Sequence, residues 1–169
     1  EEFRFLHQEM RSRGARVDEA IAVIRALLRG GMVEFHGAHY DFDPLQLSPA
    51  PALPVPIFVG GTSRAALRRA AHLADGWISM IHSREALKNL IDDLRGLRRE
   101  AGRSQQPFEI KVLWAEPLDR HDVSALAELG VTDLLVTPWL FEPGATRPSI
   151  EAKRASLARF ADHVISRAG

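Results

Sequence analysis

The chain has 169 residues, 22 basic and 22 acidic side chains, and no cysteine. This length suits one domain with a substantial core, and the balanced charge gives no indication of a nucleic-acid or anionic-membrane partner. The lack of cysteine excludes disulfides and thiolate zinc sites, and it fits a cytoplasmic protein. The sequence shows no signal-peptide pattern and no apolar run near the roughly 20 residues that span a bilayer, which argues against membrane insertion.

The first third of the sequence predicts two helices. Residues 1–13 are typical of the end of a helix that closes near Gly14. A second, amphipathic helix follows, because apolar residues recur at helical spacing at Val17, Ile21, Ile24 and Leu28. Gly30 and Gly31 then stop this helix, one of them in the left-handed conformation.

A short extended excursion follows the second helix. Residues 33–35 and 40–42 flank a turn at Gly37, and residues 43–56 contain five prolines. Proline neither donates to a strand ladder nor continues a helix, so the Pro-rich stretch is predicted to be an ordered loop.

From Pro56 onward, strands and helices alternate. The predicted strands are residues 57–59, 77–81, 108–114 and 134–138. The predicted helices run to Leu73, from the cap Ser83 to Gly102, over residues 122–129 with a stop at Gly130, and from the cap Ser149, the last one with Leu157, Phe160, Ala161 and Val164 on its inner side.

Four strand–helix units in alternation favour a parallel sheet covered by helices. The glycines after the first strand lack the G-x-G-x-x-G spacing of a dinucleotide fold, and such a fold leaves the opening helices unexplained. We therefore expect an α/β fold that is half of a (β/α)8 barrel, in which residues 1–31 are helices of a preceding unit, 32–55 an extended insertion and 56–169 four βα units of one partial domain. Because four strands leave two open edges, the other half is expected to be missing from the chain or supplied by another chain.

The stretch from Val59 to Ser63 is the strongest candidate for a binding site. An apolar strand ends at Gly60 and Gly61, and the hydroxyl residues Thr62 and Ser63 precede a helix. Free amides at a helix start, approached closely over glycines, suit a phosphate group. The alternative is a tight turn with no ligand, and Arg64 is either a further phosphate contact or a solvated side chain.

Other candidates follow from the carboxyl ends of the predicted strands, where barrels place their active sites. Met80 lies at one such end, and Trp114 and Trp139 either line a pocket for a flat ring or belong to the core. His82 and Glu116 are weak candidates for proton transfer, and both are equally typical of a loop surface. His36 and His39 have no companion at metal-ligand spacing, so we expect no metal site.

Several motifs together resemble the luciferase-like monooxygenase superfamily. They are Arg13-Gly14-x-Arg16-Val17-Asp18-Glu19, Val33-x-Phe35-x-Gly37-x-x-Tyr40, Pro49-x-Pro51, Pro56-Ile57-x-Val59-Gly60-Gly61 and Ala74-Asp75-Gly76-Trp77. The endings Gly130–Trp139 and Arg159–Ile165 are most similar to those of the probable F420-dependent oxidoreductases. The resemblance covers nearly the whole chain and identifies it with the C-terminal half of the family's TIM barrel.

The resemblance implies an oxidoreductase or monooxygenase that transfers hydride between F420, or alternatively FMN, and a small organic substrate, usually as a homodimer. It places the cofactor phosphate at Gly60, Gly61, Thr62 and Ser63. The family's earlier strands, which carry the usual acid and base, have no counterpart in this sequence. A non-catalytic half barrel that dimerises and at most binds a phosphate-bearing ligand is therefore the alternative.

Overall fold

The computed structural model describes Phe5 and residues 9–81, 83–114, 116–142 and 147–165. In this part of the chain the α-helices are α1 (Arg13–Leu28), α2 (Arg64–Leu73), α3 (Arg84–Glu100), α4 (Arg120–Glu128) and α5 (Ile150–Phe160). The strands are β1 (Val33–His36), β2 (Asp41–Leu45), β3 (Phe58–Gly60), β4 (Gly76–Ile81), β5 (Glu109–Trp114) and β6 (Asp133–Leu135). Short 3-10 turns span Met10–Ser12 and Pro138–Phe141, and a π-helical turn, Ala161–Ile165, continues α5.

The main sheet is parallel, and its strands lie in chain order, β3-β4-β5-β6. Each neighbouring pair is joined through a helix, as parallel pairing requires. A doubly wound sheet reverses its strand order at a switch point, and this sheet does not. The helices that join its strands also pack on one face, in one core, whereas a doubly wound sheet has helices on both faces. The sheet is an arc of an α/β barrel, and the predicted fold class is confirmed.

The two faces of this sheet have different surroundings. Alternate residues of the strands, among them Val59, Trp77 and Val112, pack against the helices in one buried core. The core also includes Leu67, Ala70, Leu87, Ile91, Leu94, Ile110, Trp114 and Leu126. We call the opposite face the inner face; it carries Phe58, Gly60, Gly76, Ile78, Met80, Glu109, Lys111, Leu113, Asp133 and Leu135.

Three helix starts are capped as serine chemistry predicts. The hydroxyl oxygens of Ser63, Ser83 and Ser149 each accept a hydrogen bond from the backbone N–H three residues later. Helix α4 begins earlier than predicted, because Asp119 and Asp122 form a capping box there.

Strands β1 and β2 form an antiparallel hairpin, as the turn at Gly37 predicts. The Glu19 carboxylate of α1 accepts the backbone N–H groups of Ala38, His39 and Tyr40 at 2.7, 2.6 and 2.9 Å. Desolvation opposes ionisation of Glu19, but these three bonds hold the pKa of its carboxyl below the ordinary value. The hairpin is thereby tied to α1.

Some predicted boundaries are wrong. Gly14 does not close a helix: it lies in the first turn of α1, directly after the 3-10 turn, and its carbonyl accepts a hydrogen bond from Arg69. Residues 1–4 and 6–8 of the predicted first helix lie outside the described residues. Strand β6 stops at Leu135 instead of residue 138, since Pro138 begins a 3-10 turn. On the last helix, Val164 is buried and Phe160 and Ala161 are half-buried, as predicted, but Leu157 is 44% exposed and Ser156 is buried beside it.

Candidate cofactor site

The turn between β3 and α2 brings Gly60, Gly61, Thr62 and Ser63 together at the carboxyl end of the strand, and all four are exposed. Gly61 has φ +106°, a conformation that a residue with a side chain rarely adopts. A Cβ at Gly61 would also lie 3.1 Å from the Cβ of Ala66. The second glycine is therefore required by the backbone itself.

Hydrogen bonds from residues at the start of β4 hold the turn in place. The Trp77 indole Nε1 donates to the Gly61 carbonyl at 2.8 Å, and its ring is fully buried. The neighbouring Asp75 carboxylate accepts the Ile57 N–H at 2.8 Å and the Arg25 guanidinium at 2.9 Å. These bonds fix both the entry to β3 and the turn after it.

The capped start of α2 leaves donors available for an anion. Ser63 accepts the Ala66 N–H through its hydroxyl oxygen, while the amides of Arg64 and Ala65, in the first turn, have no intrahelical carbonyl to bond. The Ser63 hydroxyl proton remains able to donate. A helix start with free amides and a favourable dipole binds phosphate or carboxylate groups.

A groove of about 620 Å³ lies beside this turn, between α1 and β3. Its wall includes Gly60 and Ser63 together with the guanidinium-bearing residues Arg11, Arg13 and Arg69. Arg69 forms an ion pair with Asp18 and donates to the Gly14 carbonyl at 3.0 Å. The surroundings of the turn are therefore basic, which suits an anionic ligand.

The other predicted site residues lie in different environments. Met80 is on the inner face near the end of β4 and is 53% exposed. Val59 and Trp114 are 8% and 3% exposed, and both side chains pack in the helix-covered core. These two side chains do not point to the inner face, although Val59 also lines the groove beside the turn. Their role in cofactor binding stays a prediction.

Two further candidates lie in the loops after β5 and β6. Trp139 is half-buried in the 3-10 turn, with the Lys153 ammonium 5.9 Å from its ring centroid. Glu116 is exposed at the mouth of an apolar cavity of about 110 Å³ lined by Leu118, Phe141 and Phe160. His82 lies outside the described residues. The roles of these three residues stay predictions.

Two residues that support the site were not singled out for a role at the sequence level, Asp75 and Trp77. Both stand in the Ala74-Asp75-Gly76-Trp77 motif, whose last two residues begin β4, the strand that pairs with β3. An acidic residue and a tryptophan on either side of a glycine, at the start of a buried strand, indicate side chains that support a neighbouring turn, because buried polar groups need hydrogen-bond partners.

The described residues hold no group of three or more side chains able to bind a metal ion. Within the same ranges, no helix is both long and apolar enough to cross a membrane.

Comparison with known proteins places these features in context. A family model described as "Luciferase-like monooxygenase" matches residues 1–155. An uncharacterized protein of Mycobacterium tuberculosis (strain ATCC 25618 / H37Rv) is 39% identical over 170 residues, covering 99% of this chain and 58% of that protein. This chain thus spans less than two thirds of the length of the curated relative.

Named relatives match shorter stretches. An F420-dependent glucose-6-phosphate dehydrogenase of Nakamurella multipartita is 36% identical over 97 residues, or 56% of this chain and 29% of that protein. An FMNH(2)-dependent dimethylsulfone monooxygenase of Pseudomonas fluorescens is 36% identical over 80 residues, or 47% of this chain and 22% of that protein.

A solved structure shares the fold. The coenzyme F420-dependent tetrahydromethanopterin reductase of Methanopyrus kandleri superposes with a TM-score of 0.68 at 14% identity, covering 88% of this chain and 62% of that one.

Proposed function

Since the chain belongs to the luciferase-like monooxygenase family, we propose that it forms the part of an oxidoreductase barrel that holds the phosphate of F420, or alternatively of FMN, at residues 60–63. The whole protein would transfer hydride between this cofactor and a small organic substrate. The observation that carries the proposal is the exposed turn after β3, with Gly61 in the left-handed region and a capped helix start behind it.

The residues present fit an anionic group. The turn offers the amides of Arg64 and Ala65 and the hydroxyls of Thr62 and Ser63, and Arg11 and Arg13 add positive charge along the groove. The lack of a Cβ at Gly60 lets a phosphate approach the backbone. Hydrogen bonds to a charged group contribute about 1.5–3 kcal/mol each.

These contacts account for part of a cofactor's affinity. Micromolar binding needs a net gain of about 8 kcal/mol. Two or three charge-assisted bonds contribute about 3–9 kcal/mol, and the lost translational and rotational freedom costs at least about 4 kcal/mol. The remainder must come from contacts with the ring and tail. The exposed Met80 on the inner face is the described side chain of the predicted set that is placed for such a contact.

The redox chemistry itself belongs to the bound cofactor. The task of this chain is to anchor the phosphate so that the ring lies at the carboxyl ends of the strands. Glu116, exposed in the loop after β5, is our candidate for proton transfer at that end. The proposal includes a homodimer, the state that the family resemblance implies.

A binding titration tests the cofactor assignment. The complete protein that carries this chain is titrated with F420 and, separately, with FMN, and the change in ring fluorescence is followed. We expect micromolar affinity for one of them. A folded protein that binds neither at tens of micromolar refutes the proposal.

A pair of glycine variants tests the site. Gly61→Ala places a Cβ against Ala66 at positive φ, and we expect cofactor affinity to fall at least about tenfold, the value of one charge-assisted hydrogen bond. Gly102→Ala is the matched control, because Gly102 also has positive φ (+66°) but has open space around it. Equal affinities in two folded variants would show that residues 60–63 are only a turn.

A further inference from the structure

An aromatic ring lies across one end of the inner face. Phe58 begins β3 and lies beside Gly76 of β4, and a Cβ at Gly76 would be only 2.3 Å from Phe58 Cε1. The ring thus occupies the space left by the missing side chain. This packing brings Phe58 across β4 towards β5.

Lys111 lies over this ring and pairs with two carboxylates. Lys111 Nζ lies 4.6 Å from the Phe58 ring centroid, 2.9 Å from Glu109 Oε2 and 3.5 Å from Asp133 Oδ2. The Thr132 hydroxyl lies 2.8 Å from Asp133 Oδ2. We call Glu109, Lys111 and Asp133 the inner-face charge cluster.

The geometry of the cluster follows from the sheet. Lys111 and Asp133 are directly paired residues of β5 and β6, and Glu109 stands two residues before Lys111, so all three share the inner face. The hydrogen bond to Glu109, and then the charge of Asp133, raise the pKa of Lys111 against the opposing effect of desolvation. The cluster therefore carries one positive and two negative charges.

This imbalance has a consequence when the barrel closes. The interior of an α/β barrel is filled by side chains from all its strands, so closure would reduce the exposure of the Glu109 and Asp133 side chains, which is now 48% and 46%. An unpaired charge in such an interior is costly. A second cation is needed to balance the excess carboxylate.

We propose that the inner face is covered by the part of the family's barrel that this chain does not match, and that this part places one inward-pointing arginine or lysine against Glu109 and Asp133. The occupant has the required size, because the chain spans 58% of the Mycobacterium tuberculosis relative and leaves about two fifths of it unmatched. The inference concerns closure of the barrel and does not depend on the cofactor.

A second copy of this chain is a poorer occupant. Two copies that met through their inner faces would enclose two clusters with the same net negative charge. Like charges in one interior repel each other, and neither copy would supply the missing cation. Charge complementarity therefore favours a segment of different sequence.

The test compares two variants in the complete protein by thermal unfolding. With an opposing cation, Glu109→Gln leaves an excess positive charge, and we expect Tm to fall by about 5–15 °C. The double variant Glu109→Gln/Lys111→Met removes one charge of each sign, and we expect it to regain most of that loss. Without an opposing cation the order reverses, because the double variant then leaves Asp133 unpaired.

Two controls complete the experiment. Glu100→Gln neutralises an exposed acid at the end of α3 and should shift Tm by no more than about 2 °C. Sedimentation equilibrium of the 169-residue chain tests self-association. The proposal is overturned by the reversed order of Tm values, by a Glu109→Gln shift as small as that of Glu100→Gln, or by a tight dimer of this chain alone whose inner face is protected from hydrogen exchange.

Discussion

Replacement of Trp77 by phenylalanine tests two roles of its buried indole: the hydrogen bond to the turn and the packing of the core. Trp77 is fully buried in the core, and its Nε1 holds the Gly61 carbonyl at 2.8 Å. Loss of the hydrogen bond costs about 1 kcal/mol, loss of about two buried carbon groups about 1.5 kcal/mol, and the small cavity about 1 kcal/mol. We therefore expect Trp77→Phe to lower the free energy of unfolding by about 3–4 kcal/mol.

The global effect is measured by urea unfolding followed by far-ultraviolet circular dichroism. The local effect is measured by hydrogen exchange at the amides of Ala66 and Leu67, which donate to the side chain and the carbonyl of Ser63 at the end of the turn. We expect these amides to exchange about tenfold faster in folded Trp77→Phe, since the freed Gly61 carbonyl no longer anchors the turn. Cofactor affinity of the complete protein should fall in parallel.

A matched control removes core volume without touching the turn. Leu126→Ala deletes a fully buried side chain at the other end of the same core and should cost about 2–5 kcal/mol. Exchange at the Ala66 and Leu67 amides should stay as in the unchanged chain. If Trp77→Phe loses stability but leaves that exchange unchanged, Trp77 acts only in packing, and its assignment as the anchor of the turn is refuted.

Two further predictions concern other parts of the chain. Gly76→Ala forces a Cβ into the Phe58 ring and should lower the free energy of unfolding, measured by urea unfolding, by about 2–3 kcal/mol. The control Gly96→Ala should not destabilise the chain, because only the flexible end of an arginine lies near, at 3.9 Å. Equal unfolding free energies for the two variants would contradict this prediction. The hydrogen bond from His36 to Asp41, against desolvation, raises the pKa of His36. The pair should therefore stabilise the hairpin fully below the imidazole's ordinary pKa and lose this contribution as pH rises through the raised pKa; an NMR titration midpoint that does not fall in Asp41→Asn would contradict this cause.

Local chemistry explains what the sequence could predict about the fold. The serine caps at Ser63, Ser83 and Ser149 depend on a contact three residues away, so they are visible in the sequence. The stops at Gly30 and Gly130 depend on one residue's conformation, and both have positive φ. Strand–helix alternation then leaves few arrangements for a parallel sheet.

Contacts between distant residues explain what could not be predicted. The hydrogen bonds from the hairpin amides to Glu19 join residues about twenty positions apart, and no periodic pattern in the sequence predicts them. At the site, the glycine turn was readable because a strand, two glycines and a hydroxyl are consecutive. The burial of Trp114 follows from strand parity with Ile110 and Val112, which share its face, but the sequence does not state which parity faces the helices.

The order of the strands also governs how this core can assemble. Each strand of the main sheet lies beside the next one in the chain, so every pairing spans only one helix and its two connections. During synthesis, a new strand and helix can dock onto units that have already left the ribosome, without waiting for distant segments. The core can therefore form one strand–helix unit at a time, in chain order. A chain interrupted at any helix would still form a shorter parallel sheet, whose last strand is an edge to which a further strand can pair, as β6 is here.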